Sequence, residues 1–330
     1  MRTLVVGPSW IGDAVLSQPL IARLAERDPA GAIEVLAPPW VLPAYTRMPQ
    51  VARTLALAFG HGDLRLAARR RFAKTLPAYD RAIVLPNTFK SALVPWHAGI
   101  PVRTGYRGEM RFGLLNDVRT LDREALPRIA ERYAALAQPA GEPFLRPLPQ
   151  PRLTVDERSR EEALSRHGLD TSRPIAAFAP GAEYGPAKRW PAAHFASLAR
   201  TLAARGEAVW LLGSAKDAPI TAEIQSASGG ICVDLAGKTT LDEAIDLLSL
   251  ASRVVSNDSG LMHVAAALDR PMAALFGSSS PEFTPPLSER ARVVTLRLSC
   301  SPCFARECPL GHTNCLVQMT PERVLAAFED

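Results

Sequence analysis

The sequence predicts an α/β protein with two domains, each built on a parallel β-sheet. Short runs rich in Val, Ile and Leu alternate with longer amphipathic segments, the pattern of βαβ units with helices on both sheet faces. The chain has 330 residues, whereas a single core seldom grows beyond about 250 to 300 residues. A proline-rich segment, PFLRPLPQP at residues 143–151, separates two such alternating series. We therefore expect domains at residues 1–150 and 151–330.

The predicted strands of the first domain are short, and each is followed by a helical or turn-rich segment. They cover residues 3–6, 33–36, 54–58 and 82–85. In the second domain a helix at residues 156–167 precedes the strands, which cover residues 175–180, 208–212, 232–235, 253–256 and 272–276. Because parallel strands end at one edge of a sheet, the loops that follow them should lie together. The last helix of the chain is a candidate for packing back against the first domain.

The first predicted strand ends in a turn with the glycine spacing of a phosphate-binding loop, GPSWIGD at residues 7–13. A Walker loop requires lysine after its last glycine, but Asp13 stands there and would repel a phosphate. The dinucleotide fingerprint also fails, because Ser9 occupies its second glycine position. The turn instead places a carboxylate at the carboxyl end of the sheet. We interpret Asp13 as a candidate general base.

Three loops that follow predicted strands of the second domain carry the residues of a nucleotide site. They begin at residues 181, 213 and 256, and the third precedes a helix whose free amides and dipole suit a diphosphate. The candidate binding residues are Lys188, Arg189, Gly213, Ser214, Asp258, Ser259, Gly260 and His263. Taken singly, they are also compatible with helix caps and surface charge. Three such loops at one sheet edge favour a nucleotide site.

The charge of the chain is unevenly distributed. Residues 1–150 hold 20 Lys or Arg against 12 Asp or Glu, a net of +8, whereas the remainder has a net of −3. The first domain should therefore meet an anionic partner, either a phosphorylated small molecule or a membrane surface. Nucleic acid is disfavoured, because aromatic residues make up 6% and no binding motif is present. No apolar run approaches the roughly 20 residues that span a bilayer, so we expect a cytosolic protein.

Four of the five cysteines lie close together near the end of the chain, with the spacing C-x2-C-x4-C-x6-C. They are Cys300, Cys303, Cys308 and Cys315. In a cytosolic protein this density favours reduced thiols or a metal over structural disulfides. Zinc or an iron–sulfur cluster could be held here to staple a loop. Free thiols and adventitious disulfides are the alternatives.

Five segments together carry a family resemblance. They are residues 7–13, 85–92, 103–111, 180–190 and 257–263. In them, and over nearly its whole length, the chain resembles the bacterial ADP-heptose:lipopolysaccharide heptosyltransferases of glycosyltransferase family 9, most of all the heptosyltransferase II group of inner-core assembly. The resemblance implies a GT-B fold, in which two Rossmann-like domains face each other across a cleft, with the acceptor on the first and the nucleotide sugar on the second.

The resemblance also implies the reaction and its partners. ADP-L-glycero-D-manno-heptose would donate its heptose, with inversion, to the heptose already attached to Kdo-lipid A. No metal cofactor is expected for catalysis, and the sequence lacks a D-x-D pair to hold one. The basic first domain would then meet an acidic glycolipid, as a peripheral protein at the cytoplasmic face of the inner membrane.

Roles for individual residues follow from the charges. Asp13 would accept the proton of the acceptor hydroxyl, and Lys188, with the amides near Ser259 and Gly260, would stabilise charge on the leaving diphosphate. By resemblance, Asp258 either binds heptose hydroxyls or caps its helix. Candidate acceptor contacts, all predicted to lie in loops at the same sheet edge, are Ser9, Trp10, Asn87, Lys90, Arg103, Arg107, Glu109 and Arg111. For the Arg and Glu residues, a structural network of ion pairs is the alternative.

Two other functions fit the same sequence. One is a related transferase with a different sugar or acceptor, such as heptosyltransferase I. The other is a sugar-nucleotide-binding protein that transfers nothing. The presence of both Asp13 and Lys188 speaks against the second, because a binding protein has no need of a base.

Overall fold

The computed structural model describes residues 1–57, 59 and 63–329. They form two compact units, Met1–Arg152 and Leu153–Asp330, so that the chain divides at the end of the proline-rich segment. Each unit has one six-stranded sheet, and every strand pair in both sheets is parallel. The predicted α/β class with two parallel sheets is therefore confirmed.

The described residues of the first unit form six strands and six helices. Its strands are β1 (Arg2–Val6), β2 (Ala32–Ala37), β3 (Arg53–Ala56), β4 (Arg81–Val84), β5 (Val102–Tyr106) and β6 (Asp117–Arg119). Its helices are α1 (Ile11–Leu16), α2 (Gln18–Arg27), α3 (Leu42–Thr46), α4 (Leu66–Ala73), α5 (Leu93–His97) and α6 (Ile129–Ala135). Short 3-10 turns cover Pro39–Val41 and Phe89–Ala92. The sheet order is β3-β2-β1-β4-β5-β6.

The central strands of this sheet are apolar because helices cover both of their faces. Val6 of β1 lies beside Leu36 of β2 and Val84 of β4, and all three side chains are buried. Two of the strands, β5 and β6, were not predicted. Arg103 was predicted to lie in a loop, and this is wrong, because it is the second residue of β5. Ala58, the last residue of the predicted strand 54–58, lies outside the described residues.

The second unit repeats the same plan. Its strands are β7 (Ile175–Ala179), β8 (Ala208–Leu211), β9 (Val233–Asp234), β10 (Arg253–Asn257), β11 (Met272–Phe276) and β12 (Ala291–Thr295). Its helices are α7 (Glu157–His167), α8 (Ala192–Ala204), α9 (Ala218–Ser228), α10 (Leu241–Leu248), α11 (Gly260–Ala267), α12 (Asn314–Val317) and α13 (Pro321–Ala326). Pro186–Lys188 and Ala215–Asp217 form 3-10 turns. The sheet order is β12-β11-β10-β7-β8-β9, and α13 packs against α8.

Both sheets have the strand order of a Rossmann fold. Numbered from its own first strand, each sheet reads 3-2-1-4-5-6, so the first and fourth strands are neighbours. The chain leaves these two strands in opposite directions, which opens a crevice at their carboxyl ends, the usual ligand position of such sheets. In the first unit this switch point lies between β1 and β4, and in the second it lies between β7 and β10. Within the described part of the chain, no helix has the length and apolar character needed to cross a bilayer.

Candidate active site

A cavity of about 280 Å³ lies at the switch point of the first unit. Its walls come from the loops after β1 and β4 and from the segment that leads into α6. The lining residues are Pro8, Ser9, Trp10, Asp13, Leu85, Pro86, Asn87, Tyr106, Leu121, Arg123, Ile129, Arg132 and Tyr133. Asp13 thus lies where the sheet topology places ligands, together with three of the predicted acceptor residues, Ser9, Trp10 and Asn87.

Asp13 is held by the tight turn that connects β1 to α1. The turn needs glycine at position 7, because a Cβ atom there would come within 2.6 Å of the Tyr45 hydroxyl oxygen. Helix α1 begins two residues before Asp13, so the half-buried carboxylate lies in the first turn, where the helix dipole favours a negative charge. Burial raises the pKa of Tyr133, and the negative charge of the nearby Asp13 carboxylate raises it further.

Sequence reasoning missed the cavity residues that lie far along the chain from Asp13. Tyr106, Arg123, Arg132 and Tyr133 line the cavity, and the two arginines bring positive charge to the wall. Burial, and the like charge of Arg123, lower the pKa of Arg132. Tyr106 lies within the segment 103–111, but no local motif marks the other three residues. They could have been found only by predicting that β5 and β6 extend the sheet and return α6 to its switch point.

The remaining predicted acceptor residues do not line this cavity. Arg103 donates through Nε to the Leu114 carbonyl at 2.6 Å, which is a structural contact. Arg111 is buried, and its guanidinium donates to the Pro86 carbonyl at 2.7 Å, to the Asn87 side chain at 3.1 Å and to the Tyr106 carbonyl. These contacts fix the loop that carries Asn87.

Glu109 has a similar structural contact. Its carboxylate accepts from the Phe89 amide at 2.7 Å, and its own amide donates to the Asn87 carbonyl at 3.2 Å. The alternative of a structural network thus fits Glu109 in part: its hydrogen bonds are with backbone groups, and its charge acts on the Arg111 guanidinium. Lys90 is half-buried and Arg107 is exposed. Direct contact of Lys90 or Arg107 with an acceptor stays a prediction.

An ion pair lies at the switch point of the second unit. Lys188, which ends the turn Pro186–Lys188 after β7, places Nζ 2.5 Å from Oδ2 of Asp258, which directly follows β10. The side chains of Lys188 and Asp258 are 18% and 6% exposed, so water screens the pair only weakly. The ammonium also lies 5.1 Å from the centre of the Tyr184 ring, where the Arg306 guanidinium lies at the same distance. Neither Tyr184, although it lies in the segment 180–190, nor Arg306 was predicted to belong to the site.

Asn257 fixes the position of the loop that carries Lys188. Its side-chain amide donates to the Pro180 carbonyl at 2.7 Å, and its side-chain oxygen accepts from the Trp190 amide at 3.1 Å. The buried Trp190 ring is itself anchored by Nε1, which donates to the Met319 carbonyl at 2.7 Å. Lys188 is therefore held between two buried fixed points, at Pro180 and at Trp190.

Helix α11 begins beside this ion pair. Ser259 is its N-cap residue, but the Ser259 side chain does not cap the helix; its hydroxyl lies 3.2 Å from the Ser256 hydroxyl. The Asp258 carboxylate is engaged with Lys188. The amides of the first turn, which starts at Gly260, are thus not capped by Ser259 and keep the positive end of the helix dipole for an anion.

Three buried polar atoms near these strand ends have no hydrogen-bond partner in the described part of the chain. They are Nδ1 of His263 and the hydroxyl oxygens of Ser278 and Ser279, which follow β11. Burial lowers the pKa of His263 to about 4, so the imidazole is neutral at pH 7. Unpaired buried polar groups cost free energy, which favours an interpretation of these three as ligand contacts. Their position after a predicted strand was the only sequence signal for Ser278 and Ser279.

Gly213 and Ser214 shape the turn that follows β8. Ser214 donates to Asp217 through both its amide and its hydroxyl, each at 2.8 Å, and so closes the turn Ala215–Asp217. A Cβ atom at Gly213 would lie 2.9 Å from the Asp217 Cβ. Arg189 is half-buried, and its Nε atom has no partner among the described residues. Nucleotide contacts from Gly213, Ser214 and Arg189 stay predictions.

The cysteine segment belongs to the second unit. Cys308 lies in a turn, and its sulfur accepts from the Thr313 amide at 3.4 Å; this bond and further backbone amides lower the pKa of the thiol. Cys315 is buried, and burial, together with the charges of the other three thiols, raises its pKa. Despite this proximity, no three His, Cys, Asp or Glu side chains of the described residues are arranged to hold a metal ion. The structural metal stays a prediction.

Comparison with known proteins assigns the chain to a family. The family model of glycosyltransferase family 9 (heptosyltransferase) matches residues 69–314. The chain is 48% identical to lipopolysaccharide heptosyltransferase 2 of Escherichia coli K12 over 336 residues, covering 98% of this chain and 97% of the relative. It is 45% identical to lipooligosaccharide heptosyltransferase 2 of Haemophilus influenzae over 310 residues, covering 90% and 89%.

A solved structure extends this similarity to three dimensions. The structure of E. coli ADP-heptose lipopolysaccharide heptosyltransferase II superposes with a TM-score of 0.88 at 46% identity, covering 100% of this chain and 98% of that one. The similarity in sequence and the similarity in structure thus both span nearly the whole chain. The chain belongs to glycosyltransferase family 9, the heptosyltransferases.

Proposed function

We propose that this chain transfers L-glycero-D-manno-heptose from ADP-heptose to the first heptose of the Kdo-lipid A inner core, in lipopolysaccharide biosynthesis. The observation that carries the proposal is a charged site at the same topological position in each unit, with Asp13 in one and Lys188 with Asp258 in the other. The names of the relatives, lipopolysaccharide heptosyltransferase 2 and ADP-heptose lipopolysaccharide heptosyltransferase II, support this donor and this step.

In this proposal Asp13 is the general base. The acceptor hydroxyl gives its proton to the Asp13 carboxylate while its oxygen bonds to the anomeric carbon of the heptose. The bond from that carbon to the β-phosphate oxygen breaks, and ADP leaves with the electron pair. A single displacement from the face opposite ADP inverts the anomeric centre. A carboxylate is a weak base, so it accepts the proton late, as the new bond forms.

Lys188 and the start of α11 stabilise the leaving diphosphate. Negative charge grows on the β-phosphate as the glycosidic bond breaks, and fixed positive groups in a shielded site lower the energy of that state. Lys188 is held in place by the Asp258 carboxylate at 2.5 Å, so it need not reorganise during the reaction. Because these groups supply the positive charge, the proposal includes no metal cofactor. Binding of heptose hydroxyls by Asp258 stays a prediction.

The acceptor also determines where the protein works. Kdo carboxylates and lipid A phosphates are anions, and the net charge of +8 in residues 1–150 favours binding to them. We propose peripheral association with the cytoplasmic face of the inner membrane, and no nucleic-acid partner. A zinc ion or iron–sulfur cluster at the four cysteines would serve only to staple their loop. Metal analysis of protein purified without chelator would remove that hypothesis if it found neither zinc nor iron.

A transfer assay tests the proposed step. ADP-heptose is offered with Kdo-lipid A and, separately, with its mono-heptosylated form, and the product is identified by mass spectrometry. Product from the second acceptor alone supports the proposal. Product from the first alone indicates a heptosyltransferase I. Binding of ADP-heptose without product from either acceptor would indicate a different acceptor or a non-catalytic protein. The anomeric configuration of the product, measured by NMR, tests inversion.

A further inference from the structure

The loop between β5 and β6 carries two apolar side chains that extend into solvent. Met110 is 81% exposed and Phe112 is 75% exposed. The next most exposed large apolar side chain among the described residues is Leu310, at 61%. Single exposed apolar residues are ordinary on protein surfaces, but two such residues at the tip of one loop form a local apolar surface. We call residues 107–113 the apolar loop.

The apolar loop is firmly held, although its tip is exposed. Arg111, between the two apolar residues, is buried, and its guanidinium donates to the Pro86 and Tyr106 carbonyls and to the Asn87 side chain. The one acidic side chain of the loop, Glu109, accepts from the Phe89 amide. The exposure of Met110 and Phe112 is therefore a consequence of specific contacts, since the arginine between them is turned inward and anchored.

The loop adjoins the candidate acceptor cavity. Asn87 lines that cavity and also accepts from Arg111 at 3.1 Å, and its carbonyl accepts from the Glu109 amide at 3.2 Å. In the proposed reaction, the acceptor sugar binds beside Asp13 while its acyl chains stay in a bilayer. A loop hydrogen-bonded to the wall of this cavity is well placed to touch the surface of that bilayer.

Positive charge lies in the loop, on the turn beside it and, one helix further away, on α4. Arg107 within the loop is exposed, and Lys90 lies on the turn Phe89–Ala92, whose residues contact the loop. That turn leads directly into α5, which packs against α4, where Arg70 and Arg71 are exposed. Apolar side chains combined with neighbouring cations are the composition that binds an anionic membrane interface.

We propose that the apolar loop inserts Met110 and Phe112 into the interface of an anionic lipid bilayer, beside the glycolipid acceptor. The inference rests on the proposed function for the acceptor, but the binding step can be measured without it. The cations contribute attraction that weakens with salt, and the two apolar side chains contribute the part that salt leaves in place.

The test is a double variant, Met110→Ser with Phe112→Ser, which leaves Arg111 intact. Binding is measured by co-sedimentation with vesicles of phosphatidylglycerol and phosphatidylethanolamine, without donor or acceptor. We expect binding to weaken by about tenfold or more, because two exposed apolar side chains no longer leave water on binding. The control is Ile231→Ser with Leu310→Ser, which removes exposed apolar side chains from the second unit and should leave vesicle binding unchanged.

Activity gives a second readout on the same proteins. With acylated acceptor embedded in vesicles, turnover by the loop variant should fall in parallel with binding. With deacylated, water-soluble acceptor it should stay within about twofold, because the loop is then not needed. If the parent protein fails to use even the soluble acceptor, the proposed function is wrong, while the vesicle assay still tests the loop.

Three outcomes overturn the inference. The first is equal vesicle binding by the loop variant and the parent protein, and the second is no binding by the parent protein. The third is an equal loss of turnover on soluble and vesicle-bound acceptor, which would assign the loop to the acceptor site itself. Light scattering tests the alternative that the loop contacts a second copy of the chain. In that case the parent protein would be a dimer, the loop variant would be a monomer, and both would bind vesicles equally.

Discussion

Each unit places a carboxylate at the switch point of its sheet, but after a different strand and in a different environment. In the first unit, Asp13 is half-buried, follows β1 and lines a cavity of about 280 Å³. In the second, Asp258 follows β10, is 6% exposed and lies 2.5 Å from the Lys188 ammonium. A carboxylate paired so closely with a buried cation holds that cation in place, whereas one on a cavity wall can meet a substrate hydroxyl. In the proposed mechanism, one fold thus separates proton acceptance from charge stabilisation.

The difference originates in the loops that follow the first strand of each sheet. In the second unit the loop after β7 reaches Lys188 and is fixed by Asn257, so a cation arrives at the switch point. In the first unit the loop after β1 is much shorter and leads at once into α1, which presents Asp13. Identical sheet order therefore does not determine the electrostatics of the site.

Asp13→Asn removes the proposed base and keeps the size of the side chain. We expect kcat to fall by about 10² to 10⁴, the usual contribution of a general base. The KM for ADP-heptose should stay within a few fold, because the donor is assigned to the other unit. Steady-state kinetics with the mono-heptosylated acceptor measure both constants. Unchanged turnover would rule out Asp13 as the base, and an equal loss in donor affinity would contradict the division of roles.

Lys188→Met removes the cation from the second switch point. We expect kcat/KM for ADP-heptose to fall on the order of 10²-fold, because the diphosphate loses its main fixed charge. The acceptor KM should change little. The variant should also lose about 3 kcal/mol of stability, because Asp258 is left as a buried unpaired charge.

The double variant Lys188→Met with Asp258→Asn separates these two effects. Neutralising both partners should restore most of the free energy of unfolding while leaving donor use impaired. Chemical denaturation and steady-state kinetics on the same samples provide the two readouts. Recovery of donor use in the double variant would show that Lys188 acts on stability rather than on the diphosphate.

We expect His263 to make the stability of the second unit depend on pH. Burial lowers its pKa to about 4 in the folded protein, against 6.5 for an unperturbed histidine. Below about pH 6.5 the His263 imidazole is protonated in the unfolded chain, whereas in the folded protein it stays neutral until about pH 4. The free energy of unfolding should therefore fall by about 3 kcal/mol across this range, and this contribution should not change above it.

His263→Gln tests that dependence. Denaturation is followed at several pH values for both proteins, and only the difference in slope between them is compared, so that a constant change in stability cancels. The variant should lose less stability than the parent between pH 6.5 and 4. Parallel curves would mean that the folded protein protonates His263 as readily as the unfolded chain does.

The fold was more predictable than the site, for reasons visible in particular residues. Strands such as β1 and β11 are continuous apolar runs, because helices cover both of their faces, and such runs are recognisable in the sequence. Strand β5 contains Arg103 and Gly105 and was missed, because the arginine is held in the sheet by hydrogen bonds to backbone carbonyls that no local pattern reveals.

For the site, the sequence predicted the loops but not the partners across them. Lys188 and Asp258 were both singled out, yet their direct pairing depends on the alignment of β7 with β10. Tyr133 and Arg132 are more than 110 residues from Asp13 and lie beside it in the cavity only because α6 returns to the switch point of the sheet. Such contacts follow from topology, which local residue patterns do not encode.

The smallest expected effect concerns the ring that supports Lys188. The Tyr184 ring lies 5.1 Å from both the Lys188 ammonium and the Arg306 guanidinium, and its hydroxyl donates to the Phe304 carbonyl at 2.8 Å. A cation–π contact at a partly exposed site contributes about 0.5 to 1 kcal/mol. Tyr184→Leu should therefore raise the KM for ADP-heptose by about two- to fivefold with little change in kcat.

The matched control is Tyr184→Phe, which keeps the ring and removes only the hydroxyl. If the ring positions Lys188, the Phe variant should retain a KM close to that of the parent, and the Leu variant should not. An equal rise in both would assign the effect to the hydrogen bond with Phe304.

Trp10 offers the corresponding test in the first unit, because it lines the Asp13 cavity. The variants Trp10→Leu and Trp10→Phe should change the acceptor KM and leave the donor KM unchanged. The division of roles between the two units would fail if either aromatic residue affected both substrates equally.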